Sequence, residues 1–254
     1  MMNPSTWAAM LTSGWSEMGE GAFWLALVKI IWINILLSGD NAVVIAMACR
    51  ALPARQRLWG MVIGAGVAVI LRIIFTGVVA ALMQLPYLKI VGGLALFYIA
   101  VKLLVPEDAD DDGVEAVDKL WRAVVTVVIA DIVMSLDNVI AIAAAAQGNM
   151  ALLVIGLAIS IPLIVAGAAL IMALLDRFPI VIWAGAALLG WIVGEVIATD
   201  PAVVSYLTAH VQSVTPHQVE IGAAIVGAIL VIAVGGYWRS SKKAAQVDKV
   251  SAAE

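Results

Sequence analysis

The chain has 254 residues, 64% of them hydrophobic and 13% charged, with a mean hydropathy of +1.07. A soluble domain could not cover so much apolar surface, so the composition excludes one and leaves a polytopic membrane protein. The formal net charge of −4 implies no particular partner beyond the lipid bilayer, because the charges gather in loops and tails, and nothing in their pattern points to nucleic acid.

Residues 1–20 read as a surface segment that carries Glu17 and Glu20. No Lys or Arg precedes Lys29, so the basic start of a cleaved signal peptide is missing. Residues 21–105 predict three spans, at 21–49, 58–83 and 87–105, with Pro86 in a tight turn between the last two. Residues 106–119 form an acidic loop. Residues 120–198 predict three more spans, at 120–146, 150–175 and 180–198, with turns at Gln147-Gly148-Asn149 and Asp176-Arg177-Phe178-Pro179. A longer loop at 199–218 carries His210 and His217; a seventh helix follows at 219–238, then a tail at 239–254. The expected fold is all-α, with seven transmembrane helices. Arg50, Arg55 and Arg57 after the first span, and Arg239, Lys242 and Lys243 after the last, belong in the cytoplasm by the positive-inside rule. The N-terminus is then outside and the C-terminus inside, and Trp24, Trp59, Trp121 and Trp238 fall near span ends, as interfacial aromatics do.

Two stretches repeat one pattern. In Asn34-Ile35-Leu36-Leu37-Ser38-Gly39-Asp40-Asn41 and Asp131-Ile132-Val133-Met134-Ser135-Leu136-Asp137-Asn138, superimposing the Asp-Asn pairs also sets Ser38 on Ser135 and Asn34 on Asp131. With small loop differences, Pro86 falls near Pro179, Tyr98 on Trp191 and Lys102 on Glu195. Residues 21–105 and 120–198 therefore read as two copies of a three-helix unit. An odd number of spans per copy makes the repeat inverted, with the ligand where the copies meet and the seventh helix as an addition.

Each ionised Asp near mid-membrane costs about 2.5–3.5 kcal/mol on insertion scales, so acids in matched contexts point to a site. Residues seven apart on a helix differ by only about 20°, which stripes Asn34 with Asn41 and Asp131 with Asn138. Asp40 and Asp137 lie about 100° from their neighbouring Asn on a regular helix. They converge better if the helices bend or unwind, and Gly39, Ser38 and Ser135 are where a break is expected. Freed carbonyls there would add cation ligands. Carboxylate, amide, hydroxyl and carbonyl oxygens suit a hard divalent cation such as Mg, Ca or Mn, not Cu(I) or Zn.

Other features carry plainer readings. Cys49, Met47 and Met134 read as packing residues, and small residues at Gly60–Gly64 and Ala184–Ala187 as places of close helix approach. His210 and His217 read as solvated. Asp108-Ala109-Asp110-Asp111-Asp112-Gly113 opens like a calcium loop, but Lys119 occupies the twelfth position where a bidentate acid is needed. Arg72 lies mid-span and needs a partner carboxylate or a water-filled path. Glu195 either snorkels from its span end or pairs with Lys102.

At Leu37-Ser38-Gly39-Asp40-Asn41-Ala42-Val43 and Ala130–Val139 the chain resembles the TerC family of integral membrane proteins, in particular its YjbE-like branch of metal transporters. That resemblance implies kinship with a wider group of exporters that includes the lysine exporters, and a role in manganese efflux. It makes Asp40, Asn41, Asp131, Asp137 and Asn138 the metal residues, with Asn34, Ser38, Ser135, Glu195 and Arg72 as accessory positions. Many relatives carry an acid where Asn34 stands, so three carboxylates remain here instead of four. The family's link to tellurium resistance is indirect, since a carboxylate site repels an oxyanion.

The function expected is a secondary exporter of a divalent cation, foremost Mn(II), exchanged for protons across a bacterial inner membrane. No permanent cofactor, no enzymatic activity and no particular oligomeric state is expected. One alternative is a non-transporting membrane partner in metal or tellurium stress resistance. Another is an intramembrane aspartyl protease, although Leu37-Ser38-Gly39-Asp40 lacks the first glycine of its Gly-x-Gly-Asp pattern and no Tyr-Asp pair occurs in the spans.

Overall fold

A backbone without water must satisfy its hydrogen bonds within each segment, and every element among the described residues is a helix. The computed structural model describes residues 21–76, 85–105, 116–146, 149–210 and 215–251; the side chains of residues 22, 116, 136, 137, 139, 140, 143, 150, 243 and 245–251 fall outside that description. The helices are α1 Gly21–Leu36, α2 Gly39–Cys49, α3 Ala54–Thr76, α4 Leu88–Leu104, α5 Ala116–Ala146, α6 Met150–Arg177, α7 Ile180–Ala198, α8 Pro201–His210 and α9 Pro216–Ser251.

Four of these are long and apolar enough to cross a membrane: Ala54–Thr76, Ala151–Arg177, Ile180–Ala198 and Pro216–Lys242. The pair α1–α2, bent by 52°, makes a fifth, against the seven expected. Of the other two expected spans, α4 has 17 residues, short of the roughly 20 a span needs, and α5 has 31. The surface segment 1–20, the acidic stretch 106–115 and Gln147–Gly148 lie outside the described residues.

The expected break is present in the first motif only. α1 stops at Leu36, the turn is carried by Leu37 N donating to Ile33 O (2.9 Å) and Ser38 N to Ile35 O (3.3 Å), and α2 starts with Ala42 N donating to Ser38 O (3.0 Å). A Cβ on Gly39 would meet nothing within 4 Å, so the glycine is not there for room. Its contribution is a helix propensity about 1 kcal/mol poorer than alanine's. Leu136, a good helix former, stands at the equivalent place, and α5 runs unbroken past Ser135. Three boundaries also differ. The 199–218 loop contains α8, α5 begins early enough to include Asp118 and Lys119, and α9 carries the expected tail as one helix of 36 residues.

α1 packs on α6, α3 on α5, α4 on α7, and α9 against both α7 and α4. α4 and α7 run antiparallel: Lys89 Nζ donates to Thr199 Oγ1 (3.2 Å), and further along, Gly93 faces Ile197 and Val193. Asp200 ties their ends. It accepts from Tyr87 N (3.0 Å), Lys89 N (3.1 Å) and Ile90 N (3.3 Å), and from Ala202 N (2.8 Å) at the start of α8. One carboxylate thus caps two helices, and Tyr87 takes the left-handed conformation (φ 69°) to bring its amide round. Burial opposes the charge on Asp200, but the four backbone N–H groups outweigh it and hold its carboxyl below the usual carboxylate range.

α7 and α9 meet backbone to backbone. A Cβ on Gly190 would lie 2.6 Å from the Gly227 carbonyl oxygen, and Cβ atoms on Gly194 and Gly227 would lie closer still to the facing backbone. This Gly190-x-x-x-Gly194 pair is the close-approach motif of membrane helices. It is tighter than Gly60, Gly64 and Gly185, which rest on side chains of Leu52, Val127 and Met47. Gly194→Val is expected to lower the melting temperature sharply in detergent, since overpacking costs about 1–3 kcal/mol even where side chains are free to yield. Gly222→Val, with nothing within 4 Å of its Cβ, is expected to leave it unchanged. Equal melting temperatures for the two variants would refute the contact.

Two apolar clusters fill the rest of the bundle. One takes Phe23, Leu27 and Ile30 of α1, Ile142 and Ala146 of α5, and Leu152, Leu153 and Leu157 of α6. The other takes Ala42–Cys49 residues of α2, Val127, Ala130 and Met134 of α5, and Ile164, Ala168 and Met172 of α6. Between them, on the same helices, lie Asn34, Ser38, Ser135 and Ser160, all 2% exposed or less. The polar motif is a buried layer with an apolar cluster on each side.

Candidate functional site

That layer is organised by Arg72, 2% exposed near the end of α3. A charge this deep requires partners for its whole guanidinium, and the layer supplies them. Nη2 lies 2.6 Å from Asp131 Oδ1, a fully buried ion pair. Nε and Nη2 donate to Ser135 Oγ at 3.1 and 2.9 Å, and Nη1 donates to Asn34 Oδ1 at 2.6 Å and Ser38 Oγ at 3.3 Å. Ser135 Oγ in turn donates a hydrogen bond to Asp131 Oδ2 (3.0 Å). Asn34 Nδ2 donates to Ser160 Oγ (2.5 Å), which donates to Leu157 O (2.7 Å).

The residues that the repeat matches, Asn34 with Asp131 and Ser38 with Ser135, therefore grip one guanidinium from two helices. This accounts for Asn34: one carboxylate already neutralises Arg72, and a second would leave a buried excess charge. It also changes the standing of Asp131, expected as a metal ligand. Both its oxygens are engaged, and its charge is spent on Arg72. The partner carboxylate that Arg72 needs is Asp131.

The remaining motif residues sit at the α1/α2 break. Asp40 is partly buried, and its Oδ1 accepts from Asn41 N (2.8 Å) in the first turn of α2. Asn41 is 4% exposed, and among the described residues neither its Nδ2 nor its Oδ1 has a hydrogen-bond partner. Buried amides are almost always satisfied, so the partner of this one lies outside the described residues. Asn138 Nδ2 reaches across from α5 to the Leu37 carbonyl at the break (3.1 Å). Asp137 lies on α5 between Ser135 and Asn138, with its side chain outside the described set. Among the described residues no three acidic, histidine or cysteine side chains converge as a metal cluster.

The accessory positions divide. Asn34, Ser38, Ser135 and Arg72 belong to the layer; Glu195 does not, since its Oε1 accepts from Trp191 Nε1 (2.7 Å) on the outer face of α7. Nor does it meet Lys102. The antiparallel run of α4 and α7 places Glu195 level with Gly93, toward the Asp200 end, and Lys102 nine residues further on, about 13 Å along the helix. His210 stacks on Tyr206 at 4.5 Å between ring centroids, and His217 Nδ1 is 4.0 Å from Glu220, so each has a local partner. Cys49, Met47 and Met134 are packed in an apolar cluster, as expected. Ser160 and Asp200 were missed: Ser160 has no signal in a span of small residues, whereas Asp200-Pro201 is a readable helix start.

Residues 19–243 match the model of the integral membrane protein TerC family. The chain belongs to the TerC family. Its relatives include the uncharacterized membrane protein YjbE of Bacillus subtilis, 41% identical over 191 residues that span 75% of this chain and 87% of that protein. The uncharacterized membrane protein YceF of the same organism is 27% identical over 65% of this chain and 68% of its own. A UPF0053 protein of Buchnera aphidicola is 24% identical over 48% of this chain and 27% of its own. No solved structure matches. The TerC match covers α1 to α7 and much of α9, so the buried layer and the α1/α2 break lie within the family's extent.

Proposed function

We propose that this TerC protein is a secondary transporter that exports a divalent cation, foremost Mn(II), in exchange for protons. The observation that carries this reading is the buried amide of Asn41, without a partner among the described residues, beside Asp40 at the helix break. There an amide oxygen, a carboxylate and the carbonyls at the end of α1 are the hard oxygen donors that such a cation takes. Asp137 and Asn138 are the matching donors on α5. Against Arg72, the three carboxylates Asp40, Asp131 and Asp137 leave a formal charge of −2, equal and opposite to one bound dication. An inside-negative potential opposes outward movement of that dication, so proton entry on an Asp supplies the counter-movement.

The proposed architecture is seven spans with the first three and the next three as inverted copies, in a bacterial inner membrane. It is supported by the exchange of partners in the packing, first helix of one copy on second of the other and third on third, with the third pair antiparallel. The Arg57–Asp176 pair (2.8 Å) joins the two Arg-bearing turns at one end, while Tyr87 and Asp200 meet at the other. Basic residues assign the first end to the cytoplasm. An aspartyl protease is disfavoured, because Leu37-Ser38-Gly39-Asp40 lacks the first glycine of that pattern and Asp131 is bound to a guanidinium.

Purified protein in liposomes, offered Mn, Mg, Ca, Zn and Fe ions under an imposed pH gradient, tests the proposal. Mn(II) flux accompanied by proton counterflow is the expected result. Absence of flux for every ion would leave a non-transporting partner in stress resistance as the reading.

A further inference from the structure

On one side of the turn at Leu37 and Ser38, α2 is buried along nearly its whole length, from Asn41 to Cys49. On the other side, α1 is not. Leu25, Val28, Trp32 and Leu36 are each at least 60% exposed, a face that meets lipid in a membrane. Among the described helices α1 packs on α6 and α5 and makes no comparable contact with α4, α7, α8 or α9. At its foot the regular helical bonding lapses, where Ser38 N turns back to Ile35 O (3.3 Å). α1 is thus an arm held from one side.

An apolar seat and one amide hold it there. Phe23, Leu27 and Ile30, each 4% exposed or less, lie against Ile142 and Ala146 of α5 and Leu152, Leu153 and Leu157 of α6. Ile30 fits where Gly156 has no side chain: a Cβ there would lie 2.5 Å from Ile30 Cγ2 and 3.2 Å from its Cβ. Asn34 adds the polar contacts, donating to Ser160 Oγ and accepting from Arg72 Nη1. Together these close the Arg72 layer on the side away from the Arg57–Asp176 end. Releasing them leaves the buried ion pair whole, because Arg72 keeps Asp131 and Ser135 on α5 and Ser38 at the turn.

We propose that α1 is the outer gate of the candidate cation site. Swinging about Leu37 and Ser38, it lifts Phe23, Leu27 and Ile30 off α5 and α6, frees Ser160 from Asn34, and opens the region of Asn41 to the extracytoplasmic side. Hinges of this kind are a few residues at an element's end that absorb the backbone change. Lipid beside α1 yields to the movement, whereas α2, enclosed by α3, α5, α6 and α7, stays in place. The proposal rests on the transport reading above, which supplies the site and its sidedness.

Locking the arm tests it. The chain has one cysteine, Cys49, so a Cys49→Ala background carries only introduced thiols. Ile30→Cys with Gly156→Cys sets two Cβ atoms 3.2 Å apart, a small shift from the roughly 3.5–4.5 Å that a disulfide spans, and removes the Ile30 methyl that would crowd it. Oxidised in proteoliposomes, this pair is expected to lower Mn(II) flux to that of protein-free vesicles, with recovery on reduction. Gly64→Cys with Val127→Cys, 3.4 Å apart between α3 and α5, joins helices that the swing leaves in place and is expected to keep its flux when oxidised. Undiminished flux with the first disulfide formed, or equal loss with the second, would overturn the gate. A second measurement needs no flux and carries the test if the locked variant fails to fold. Leu157→Cys is expected to react with an impermeant maleimide added outside faster than Leu189→Cys, since both side chains are fully buried and Leu157 alone of the two lies in the seat of α1. Equal rates would overturn the gate as well. Faster labelling of Leu157→Cys in a protein that moves no ion would sink the transport reading and leave the opening of α1 standing.

Discussion

Asp131→Asn is expected to destabilise the protein by roughly 3–5 kcal/mol, the cost of leaving a buried charge without its partner. Among the described residues the carboxylate is the one negative group bonded to Arg72, and the amide that replaces it offers a single acceptor to a guanidinium already served by Asn34, Ser38 and Ser135. Removing an acid from mid-membrane would by itself ease insertion, and a metal ligand lost from an open site would leave folding intact. The ion pair reverses that expectation. Adding Arg72→Gln to Asp131→Asn is expected to restore most of the loss, because the pair is then removed whole and the neutral side chains still hydrogen-bond. Thermal unfolding in detergent, taken as a double-mutant cycle, reads the coupling. A single variant as stable as wild type would show that the pair contributes nothing to the fold.

Asp40→Asn is expected to behave in the opposite way, with folding retained and cation flux reduced to that of protein-free vesicles. Among the described residues Asp40 makes a local bond to the amide of Asn41 and has no cationic partner within hydrogen-bond reach, so neutralising it strands no charge there. What it removes is a carboxylate from a site proposed to balance a dication, and an amide oxygen is a weaker donor to a hard cation and cannot exchange a proton. Asp137→Asn, the same change on the other motif, is expected to give the same loss. Proteoliposome flux at matched protein content, beside a melting curve for each variant, separates this from misfolding. Normal Mn(II) flux through either well-folded variant would falsify the site assignment.

Much of the site was legible because it is built from periodicity. Matching Asp40-Asn41 to Asp137-Asn138 also matched Asn34 to Asp131 and Ser38 to Ser135, and those four side chains surround Arg72. Gly39 after Ser38 was enough to foresee a break in the first motif. The symmetry itself misled at Ser135, where Leu136 replaces the glycine and the helix has no reason to stop. The role of Asp131 was not readable from its own motif, since its partner is 59 residues away on a helix whose register no local pattern fixes. Of the two readings of Glu195, the outward one fits its exposed position and the pairing with Lys102 does not: aligning the copies in sequence says which residues are equivalent, not which end of an antiparallel pair they reach. The α8 helix was hidden by polar residues that resemble a loop, although Asp200-Pro201 announces it.

The carboxylate of Asp200 has a consequence for how such a molecule moves. By holding the amides of residues 87, 89 and 90 together with that of residue 202, it pins the entry of α4 to the exit of α7. The glycine contact leaves α9 no freedom to slide along α7. Those three helices are tied to one another. None of them lends a described side chain to the Arg72 layer, whose members come from α1, α3, α5, α6 and the turn at Ser38. If the proposed transport carries an ion past Arg72, the moving parts would belong to the other half of the bundle, where the break in helical hydrogen bonding at Leu37 and Ser38 is the place to bend, since α5 passes the same level as an unbroken helix.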